Sequence, residues 1–414
     1  MKVLWFTNNP VNLVSGVLAG GWMQSLEKAI SSSEDVELFI ATRSRGGEES
    51  GKFFDGKTTY YLIPDNRSLI QKRVDVFLNR EPHEYFIDRY LSVIQEVMPD
   101  VIQVFGTEMD YGLICEKIKI PVVIHIQGIL HPYFHQLTRI SFPIFHLIRA
   151  QSFLDFVRGS TYCNSLRTFK RRTDNESKIL KTCSNVIGRT KWDKQVMSML
   201  APNARYFHCD EMLRPVFFER TWEFQPGGVI NIVSVISNAI SKGHDNIIAT
   251  SKVLKKAGEH FKWHVIGLDE SVSSYRLFYK QHVSALNGLI QFYGNLAPVE
   301  MINLLLKASI YVHPSHIENS SNALCEAMAL GMPVIAMDVG GNTSIVDDGV
   351  DGLIVPNNDP YILAAMIAHV SKNMADAIRL GANAKKRALV RHDPQKIVAD
   401  LKQIYTELVS PHAN

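Results

Sequence analysis

The sequence contains few cysteines, and their spacing argues against sites built from cysteine. They are Cys115, Cys163, Cys183, Cys209 and Cys325 in a chain of 414 residues. There is neither a Cys-x-x-Cys pair nor a Cys/His cluster at the spacing of a zinc site. An odd number of dispersed thiols is typical of a reducing compartment. We therefore expect free thiols in a cytoplasmic protein.

Long hydrophobic runs and a strong net charge are also absent. No apolar stretch reaches the length needed to cross a bilayer, and the run after Lys2 is too short for the core of a signal peptide. We interpret that run as a first β-strand. The formal net charge is +3 and the pI is about 8.4, which is too mild to indicate a nucleic-acid partner.

A glycine-rich dinucleotide motif is missing as well. Gly20 and Gly21 follow the first predicted strand, but they are not part of a Gly-x-Gly-x-x-Gly sequence. This argues against a nicotinamide cofactor. A glycine pair at this place still allows the backbone to approach a ligand closely, although an ordinary turn is an equal alternative.

What the chain does have is a regular alternation of short apolar runs with segments of helical periodicity. Runs such as residues 3–6 and 122–126 are typical of parallel strands buried on both faces. The pattern predicts an α/β protein with two doubly wound domains, at residues 1–206 and 229–393. Pro215, Pro226 and the Gly227-Gly228 pair indicate a linker at 207–228, and residues 394–414 are predicted to close the chain as a helix.

The stretch with the most candidate functional residues runs from Tyr311 to Gly341. A buried strand leads into a polar loop that carries Glu318, and the following small-residue helix carries Glu326, with seven residues between the two carboxylates. Ser320, Ser321 and Asn322 precede that helix as candidates for its N-cap. The start of a helix offers unpaired N–H groups and the positive end of a dipole, which suit an anion and a phosphate above all.

The sequence HPSHIENSSNALCEAMALGMPVIA within this stretch resembles the C-terminal signature of the retaining glycosyltransferases of family 4. The match covers roughly thirty residues. It includes the types of residue, the spacing between them, and the Gly and Pro that end the helix. The resemblance implies a GT-B fold, with two Rossmann-like domains facing each other across a cleft. It also implies that Glu318 holds hydroxyls of a donor sugar, that Glu326 holds ribose hydroxyls, and that the amides of Ser320 to Asn322 contact a diphosphate. The alternative is a capping carboxylate and a solvated helical Glu in an ordinary α/β unit.

The resemblance extends to a Lys-Gly pair after the first strand of the second domain, and one residue departs from it. Family members carry an Arg five residues before this pair, whereas here Ser237 precedes Lys242 and Gly243. One cation stabilises a departing diphosphate less than two, unless another arginine substitutes. A solvated loop lysine is the alternative for Lys242. The family also has a glycine pair where Gly340 and Gly341 stand, with amides that donate to the sugar or phosphate.

Three sites in the first domain are candidates for the acceptor side of the cleft. His125 stands at the carboxyl edge of a predicted strand, where a sugar hydroxyl would be met. Gly20 and Gly21 lie in the loop after the first strand, and Arg189 follows the last strand and could meet a phosphate or carboxylate. The alternatives are a packed or capping histidine, a turn, and a surface ion pair.

Residues 130–172 combine aromatic and basic side chains. Such a segment can rest on an anionic membrane surface or bind a lipid-linked acceptor. It can equally form two ordinary helices with core aromatics and solvated basic faces.

Taken together, the sequence predicts a metal-independent, retaining glycosyltransferase that uses a nucleotide-sugar donor and a sugar or lipid-linked acceptor. No Asp-x-Asp pair, the usual metal-binding motif of the other common glycosyltransferase architecture, occurs in the chain, and no cofactor is expected. The commonest function of the family in bacteria suggests polysaccharide, lipopolysaccharide or glycolipid assembly. The expected localisation is cytoplasmic, or peripheral at the inner face of the membrane. The alternatives are a nucleotide-sugar epimerase or hydrolase of GT-B fold, and a non-catalytic sugar-binding relative.

Overall fold

The computed structural model describes residues 1–9, 21–44, 50–139, 161–268, 279, 286 and 288–410. The chain divides into two compact units. Unit 1 comprises Met1–Phe134, Phe153–Met212 and Asp393–Asn414, and unit 2 comprises His135–Ser152 and Leu213–His392. Each unit is built around one sheet, and each is described by itself below.

Unit 1 contains an eight-stranded sheet in the order β3-β4-β2-β1-β5-β6-β7-β8. Its strands are β1 (Lys2–Phe6), β2 (Glu37–Arg43), β3 (Gly51–Asp55), β4 (Thr58–Ile63), β5 (Val101–Phe105), β6 (Val122–His125), β7 (Asn185–Gly188) and β8 (Arg205–His208). All neighbours are parallel except β3 and β4. Strand β1 lies between β2 and β5 and is buried on both faces from Val3 onward, as its unbroken apolar run predicts.

Two strands of this sheet lack a clear sequence signal. The antiparallel edge strand β3 is almost fully exposed, so its residues carry no apolar alternation. Strand β8 is similar, since only Phe207 of its residues is buried. It extends the sheet to His208, inside the range predicted as the linker, and the boundary between the units falls after Met212.

The helices of unit 1 connect these strands. They are α1 (Gly21–Ser31), α2 (Leu69–Phe77), α3 (His83–Val97), α4 (Leu130–Arg139, which begins in unit 1), α5 (Tyr162–Thr182), α6 (Lys191–Leu200) and, at the end of the chain, α13 (Pro394–Val409). A 3₁₀ turn covers Asp110–Glu116. The closing helix packs into unit 1, where the buried Tyr405 hydroxyl accepts a hydrogen bond from Trp5 Nε1 at 2.9 Å and donates one to Gln103 Oε1.

Unit 2 contains a fully parallel six-stranded sheet in the order β11-β10-β9-β12-β13-β14. Its strands are β9 (Ile230–Val235), β10 (Phe261–Ile266), β11 (Ile290–Phe292), β12 (Ile310–His313), β13 (Val334–Met337) and β14 (Leu353–Val355). Its helices are α7 (His244–Lys256), α8 (Pro298–Lys307), α9 (Asn322–Ala329), α10 (Asn342–Ile345), α11 (Pro360–Lys372) and α12 (Met374–Arg391). A helix predicted near 273–286 lies outside the described residues, apart from positions 279 and 286.

Parallel strands end at one edge of a sheet, and that edge positions the candidate site. In unit 2, β9 leads to the Lys242 loop, β12 to the Glu318 loop, and β13 to Gly340 and Gly341. Among the helices that the structure describes, none combines the length and apolar character needed to cross a bilayer.

Candidate functional site

Glu318 lies in the loop after β12, and its carboxylate contacts Lys242, Ser315 and His313. Its Oε1 atom is 2.5 Å from Lys242 Nζ and accepts a hydrogen bond from Ser315 Oγ at 3.0 Å. His313 Nε2 lies 3.3 Å from the same oxygen. The side chain is only 6% exposed, so this carboxylate is held in one orientation at the carboxyl edge of the sheet.

The charge state of Glu318 follows from this environment. Burial disfavours the ionised carboxylate, but the charge of Lys242 and the contact with His313 outweigh it. The pKa of Glu318 is therefore well below its usual range, and the group is a carboxylate paired with an ammonium. The resemblance implied separate partners for Glu318 and Lys242, a sugar and a diphosphate, whereas the structure joins the two side chains in one ion pair.

Gly243 allows the two loops of this ion pair to meet. Lys242 ends a 3₁₀ turn, Ile240–Lys242, and Gly243 adopts the left-handed conformation with φ of 75° before α7 begins. A Cβ atom added at Gly243 would overlap the Pro314 carbonyl oxygen. Only a glycine combines this backbone angle with so close an approach, so the contact fixes Lys242 beside the Glu318 loop.

Glu326, on α9, forms a second and separate ion pair. Arg214 donates to both of its oxygens, from Nε at 2.8 Å and from Nη2 at 2.9 Å. The guanidinium also lies over the Phe217 ring, 4.7 Å from its centroid. Burial raises the pKa of Glu326, and Arg214 opposes this only in part. A guanidinium has five N–H donors and a carboxylate about four acceptor sites, so both groups keep capacity for a ligand.

Sequence reasoning did not identify Arg214. It precedes Pro215 in the predicted linker, and its partner is 112 positions away, so no local spacing connects the two residues. The only indirect signal was Ser237, which stands where the family pattern has an arginine. Ser237 lies in an exposed loop after β9 and brings no charge to this edge.

The remaining residues predicted for a donor lie around the same loop. Ser321 is the N-cap of α9, and its hydroxyl accepts from Leu324 N at 3.4 Å, while Ser320 and Asn322 flank it. A Cβ at Gly340 would overlap the Glu318 carbonyl oxygen. The Gly341 N–H donates to that same oxygen at 2.9 Å, so this pair of glycines holds the Glu318 loop in place.

In unit 1, the described residues predicted for an acceptor gather around Trp22. The His125 ring lies 5.5 Å from the Trp22 ring, and the Arg189 guanidinium is 5.2 Å from it. Gly21 begins the same helix as Trp22, with φ of 50°. Gly20 lies outside the described residues. The sheet thus brings His125, Arg189 and Gly21 to one edge of unit 1.

His125 and Arg189 are both almost fully buried. His125 Nδ1 is 2.9 Å from Gln103 Nε2, while its Nε2 atom has no hydrogen-bond partner among the residues that the structure describes. Burial and the nearby charge of Arg189 lower the pKa of His125, so its imidazole is neutral. Arg189 donates to Gln127 O at 3.0 Å and lies 3.9 Å from a Glu211 carboxylate oxygen, which is a buried ion pair rather than a surface one.

Glu108 is a further carboxylate that the sequence did not single out. It follows β5, and a Cβ at Gly106 would overlap its Oε2 atom. That oxygen is buried without a hydrogen-bond partner among the described residues. Burial, with the charge of Glu176 adding to it, raises the pKa of Glu108 to about 7. The only sequence signal was its place three residues after a strand end.

The raised pKa of Glu108 predicts how stability depends on pH. The folded protein holds this proton more tightly than the unfolded chain, whose ordinary value is 4.5. The free energy of unfolding should therefore fall by about 3 kcal/mol as the pH rises from the ordinary pKa to the raised one. Glu108→Gln should remove that fall in urea unfolding measured across this range. The exposed Glu116→Gln is the control, and equal slopes in both variants would contradict the prediction.

Three comparisons with known proteins bear on this geometry. Residues 223–387 match the family described as Glycosyl transferases group 1. The chain is 27% identical over 184 residues to the putative colanic acid biosynthesis glycosyltransferase WcaL of Salmonella typhimurium, covering 43% of each. It is 28% identical over 173 residues to the capsular polysaccharide biosynthesis glycosyltransferase CapM of Staphylococcus aureus, covering 40% of this chain and 42% of the relative. These alignments span less than half of each relative.

Solved structures match nearly the whole chain. Sucrose-phosphate synthase from Thermosynechococcus elongatus superposes with a TM-score of 0.75 and 16% identity, covering 98% of both chains. Anabaena Alr3699/HepE in complex with UDP-glucose gives a TM-score of 0.67 and 15% identity, covering 98% of this chain and 100% of that one. At such identities the likeness concerns the fold alone, and it confirms the predicted GT-B class with two Rossmann-like domains.

Proposed function

We propose that the protein is a retaining, metal-independent glycosyltransferase, because residues 223–387 match the glycosyl transferases group 1 family. It would move a sugar from a nucleotide-sugar donor to an acceptor hydroxyl. The observation that carries the proposal is the pair of ion pairs at one sheet edge of unit 2, Lys242 with Glu318 and Arg214 with Glu326.

The chemistry requires that negative charge on the departing diphosphate be stabilised. Lys242, two residues before α7, and the amides at the start of α9 are the groups we assign to that charge. Glu318 would accept hydrogen bonds from hydroxyls of the sugar, because its ionised state makes it an acceptor only. Binding in a fixed orientation then contributes to rate by positioning the anomeric carbon.

Arg214 is our candidate for the cation that Ser237 does not supply. Among the described residues, two of its five donors are engaged, both with Glu326, and we assign the others to a nucleotide. Glu326 in turn would accept from ribose hydroxyls with the lone pairs that the guanidinium leaves free. In this arrangement the ion pair holds the group for the phosphates, Arg214, and the group for the ribose, Glu326, in position before the nucleotide binds.

The names of the relatives and of the solved structures support a class of donor and a class of acceptor. HepE was solved with UDP-glucose, which supports a nucleotide-sugar donor, and WcaL and CapM are named for bacterial polysaccharide synthesis. We place the protein in the assembly of a bacterial polysaccharide, lipopolysaccharide or glycolipid, with a cytoplasmic position. Membrane contact through residues 130–172 stays a prediction, because residues 140–160 lie outside the described part of the chain.

A thermal-shift screen of nucleoside diphosphates and nucleotide sugars in EDTA tests the donor site. A ligand well above its dissociation constant should raise the melting temperature by mass action. We expect one nucleotide to stabilise the wild type and to lose most of this effect with Glu326→Gln, which keeps the shape of the side chain. Glu223→Gln, on an exposed residue of unit 2, should behave as wild type.

Four results would count against the proposal. Stabilisation that disappears in EDTA and returns with a divalent cation would contradict metal independence. A nucleotide that binds equally well to Glu326→Gln would remove Glu326 from the site. The absence of any stabilising nucleotide would favour a non-catalytic relative, while donor breakdown without an acceptor would favour the hydrolase or epimerase alternative.

A further inference from the structure

Helix α2 exposes an unusual number of large apolar side chains. None of its residues is buried. The exposed set consists of Leu69, Ile70, Val74, Val76, Phe77 and the C-cap residue Leu78, with Phe77 reaching 86% exposure. At 100° per residue these six side chains cover about half of the helix circumference. This half, here called the α2 apolar face, has no partner among the described residues.

The exposure of this face calls for an explanation. A helix of nine residues is too short to be stable in water without tertiary packing. Its N-terminus is nevertheless well formed, since Ser68 and Gln71 make a capping box, and Lys72 Nζ donates to Asp65 O at 2.8 Å. A contiguous apolar patch of this kind on an otherwise ordered surface indicates an interaction site.

A basic cavity adjoins the α2 apolar face. It has a volume of about 430 Å³ and lies between α2, α5 and the carboxyl ends of β2 and β4, and Val76 and Phe77 contribute to its wall. Its cationic lining residues are Arg43, Arg67, Lys72, Arg80, Arg167 and Arg171. Its carboxylates are Asp65, Asp75 and Glu81. The lining therefore has three more positive charges than negative ones.

The ion pairs inside the cavity account for some of these cations but not for all. Arg67 binds Asp65 and Asp75, at 2.7 and 2.5 Å, and Arg171 lies 3.2 Å from Glu81. For Arg80 and Arg167 the described residues provide no carboxylate partner, and both side chains are exposed. Two cations are therefore available to an anion that enters.

We propose that the cavity and the α2 apolar face form one site for a phosphate-bearing lipid. The phosphate of an anionic head group would occupy the cavity against Arg80 and Arg167, and the apolar face would enter the interfacial region of the bilayer. The juxtaposition supports this occupant, because an anionic amphiphile has both a charged head and an apolar tail. A free anion would leave the apolar face without a role. Arg167 belongs to the basic segment that the sequence predicted to contact membranes.

Co-sedimentation with vesicles tests the site independently of any transfer activity. The full-length protein should bind phosphatidylcholine vesicles that contain phosphatidylglycerol more tightly than pure phosphatidylcholine, and added salt should weaken the binding. Arg80→Gln/Arg167→Gln should lower the partition coefficient roughly 30-fold, since each cation near an anionic surface contributes about 1 kcal/mol. Ile70→Ser/Phe77→Ser should lower it at least about tenfold.

Matched controls separate this site from general surface effects. Met199→Ser removes a side chain that is 80% exposed on α6, and Arg220→Gln removes an exposed arginine of unit 2. Both should bind vesicles as the wild type does. Circular dichroism melting curves check that each variant is folded, and the α2 variants should melt as the wild type because they remove exposed side chains.

Three outcomes would overturn the proposal. One is equal binding of the wild type to neutral and anionic vesicles. Another is calorimetric binding of inorganic pyrophosphate that Arg80→Gln/Arg167→Gln abolishes, without vesicle binding, which would make the cavity a site for a soluble phosphate. The last is a change of sedimentation coefficient, rather than of vesicle binding, in Ile70→Ser/Phe77→Ser, which would show that α2 covers a second copy of the chain.

Discussion

On the function proposed above, Lys242→Met should reduce sugar transfer about 100- to 1000-fold at saturating donor, the effect expected when one preorganised charge stabiliser is lost. The same change should lower the free energy of unfolding by about 3–5 kcal/mol, because it leaves the buried Glu318 carboxylate without its ammonium partner. A single variant therefore combines two effects, and loss of activity alone would not distinguish between them.

A double variant separates catalysis from stability. Lys242→Met/Glu318→Gln removes both charges, so no unpaired ion stays buried and most of the stability should return. Activity should stay low, since the cation that we propose for the departing diphosphate is still missing. The surface variant Lys262→Met, on an exposed residue of β10, serves as control. If the double variant recovered transfer together with stability, Lys242 would have only a structural role.

Gly243→Ala should be among the most destabilising single-methyl substitutions in unit 2. The added Cβ overlaps the Pro314 carbonyl oxygen, and the residue has φ of 75°. Left-handed backbone alone costs an alanine about 1–2 kcal/mol, and the overlap should bring the total loss to about 3 kcal/mol or more. Urea unfolding gives the free energy, and the nucleotide thermal shift should also diminish, because the Lys242 and Glu318 loops are forced apart.

Gly258→Ala provides the control for backbone strain. Gly258 has φ of 81°, but an added Cβ would meet nothing within 4 Å. This variant should show only the conformational cost, with the nucleotide shift intact. The difference between the two alanine variants then measures the contact between the Lys242 and Glu318 loops. Equal losses would mean that the Pro314 loop relaxes without consequence.

The sequence was sufficient for the features that local patterns encode. Apolar runs such as that of β1 are buried on both faces in the structure. The helix that carries Glu326 begins at Asn322 and ends before Gly331, as the residues at its two ends predict. The motif around Glu318 and Glu326 placed both carboxylates at the carboxyl edge of one sheet. These features depend on residues that are close in sequence.

Contacts between distant segments could not be predicted in the same way. The pairs Arg214–Glu326 and Lys242–Glu318 join residues 112 and 76 positions apart. Each depends on sheet order and loop course, which a periodic pattern does not specify. The raised pKa of Glu108 likewise arises from burial beside Glu176, and the antiparallel strand β3 is too exposed to leave a hydrophobic signature.

The closing helix α13 has a consequence for the order in which the protein forms during synthesis. Trp5 in the first strand donates its indole N–H to Tyr405, 400 positions further along the chain, so the core of unit 1 contains residues that are synthesised after the whole of unit 2. Unit 2 has no such requirement, since it draws on no residue after His392. Nascent chains should therefore complete unit 2 first and hold unit 1 incomplete until α13 has been synthesised. Emergence of α13, rather than of the first two hundred residues, would determine when unit 1 can complete its core.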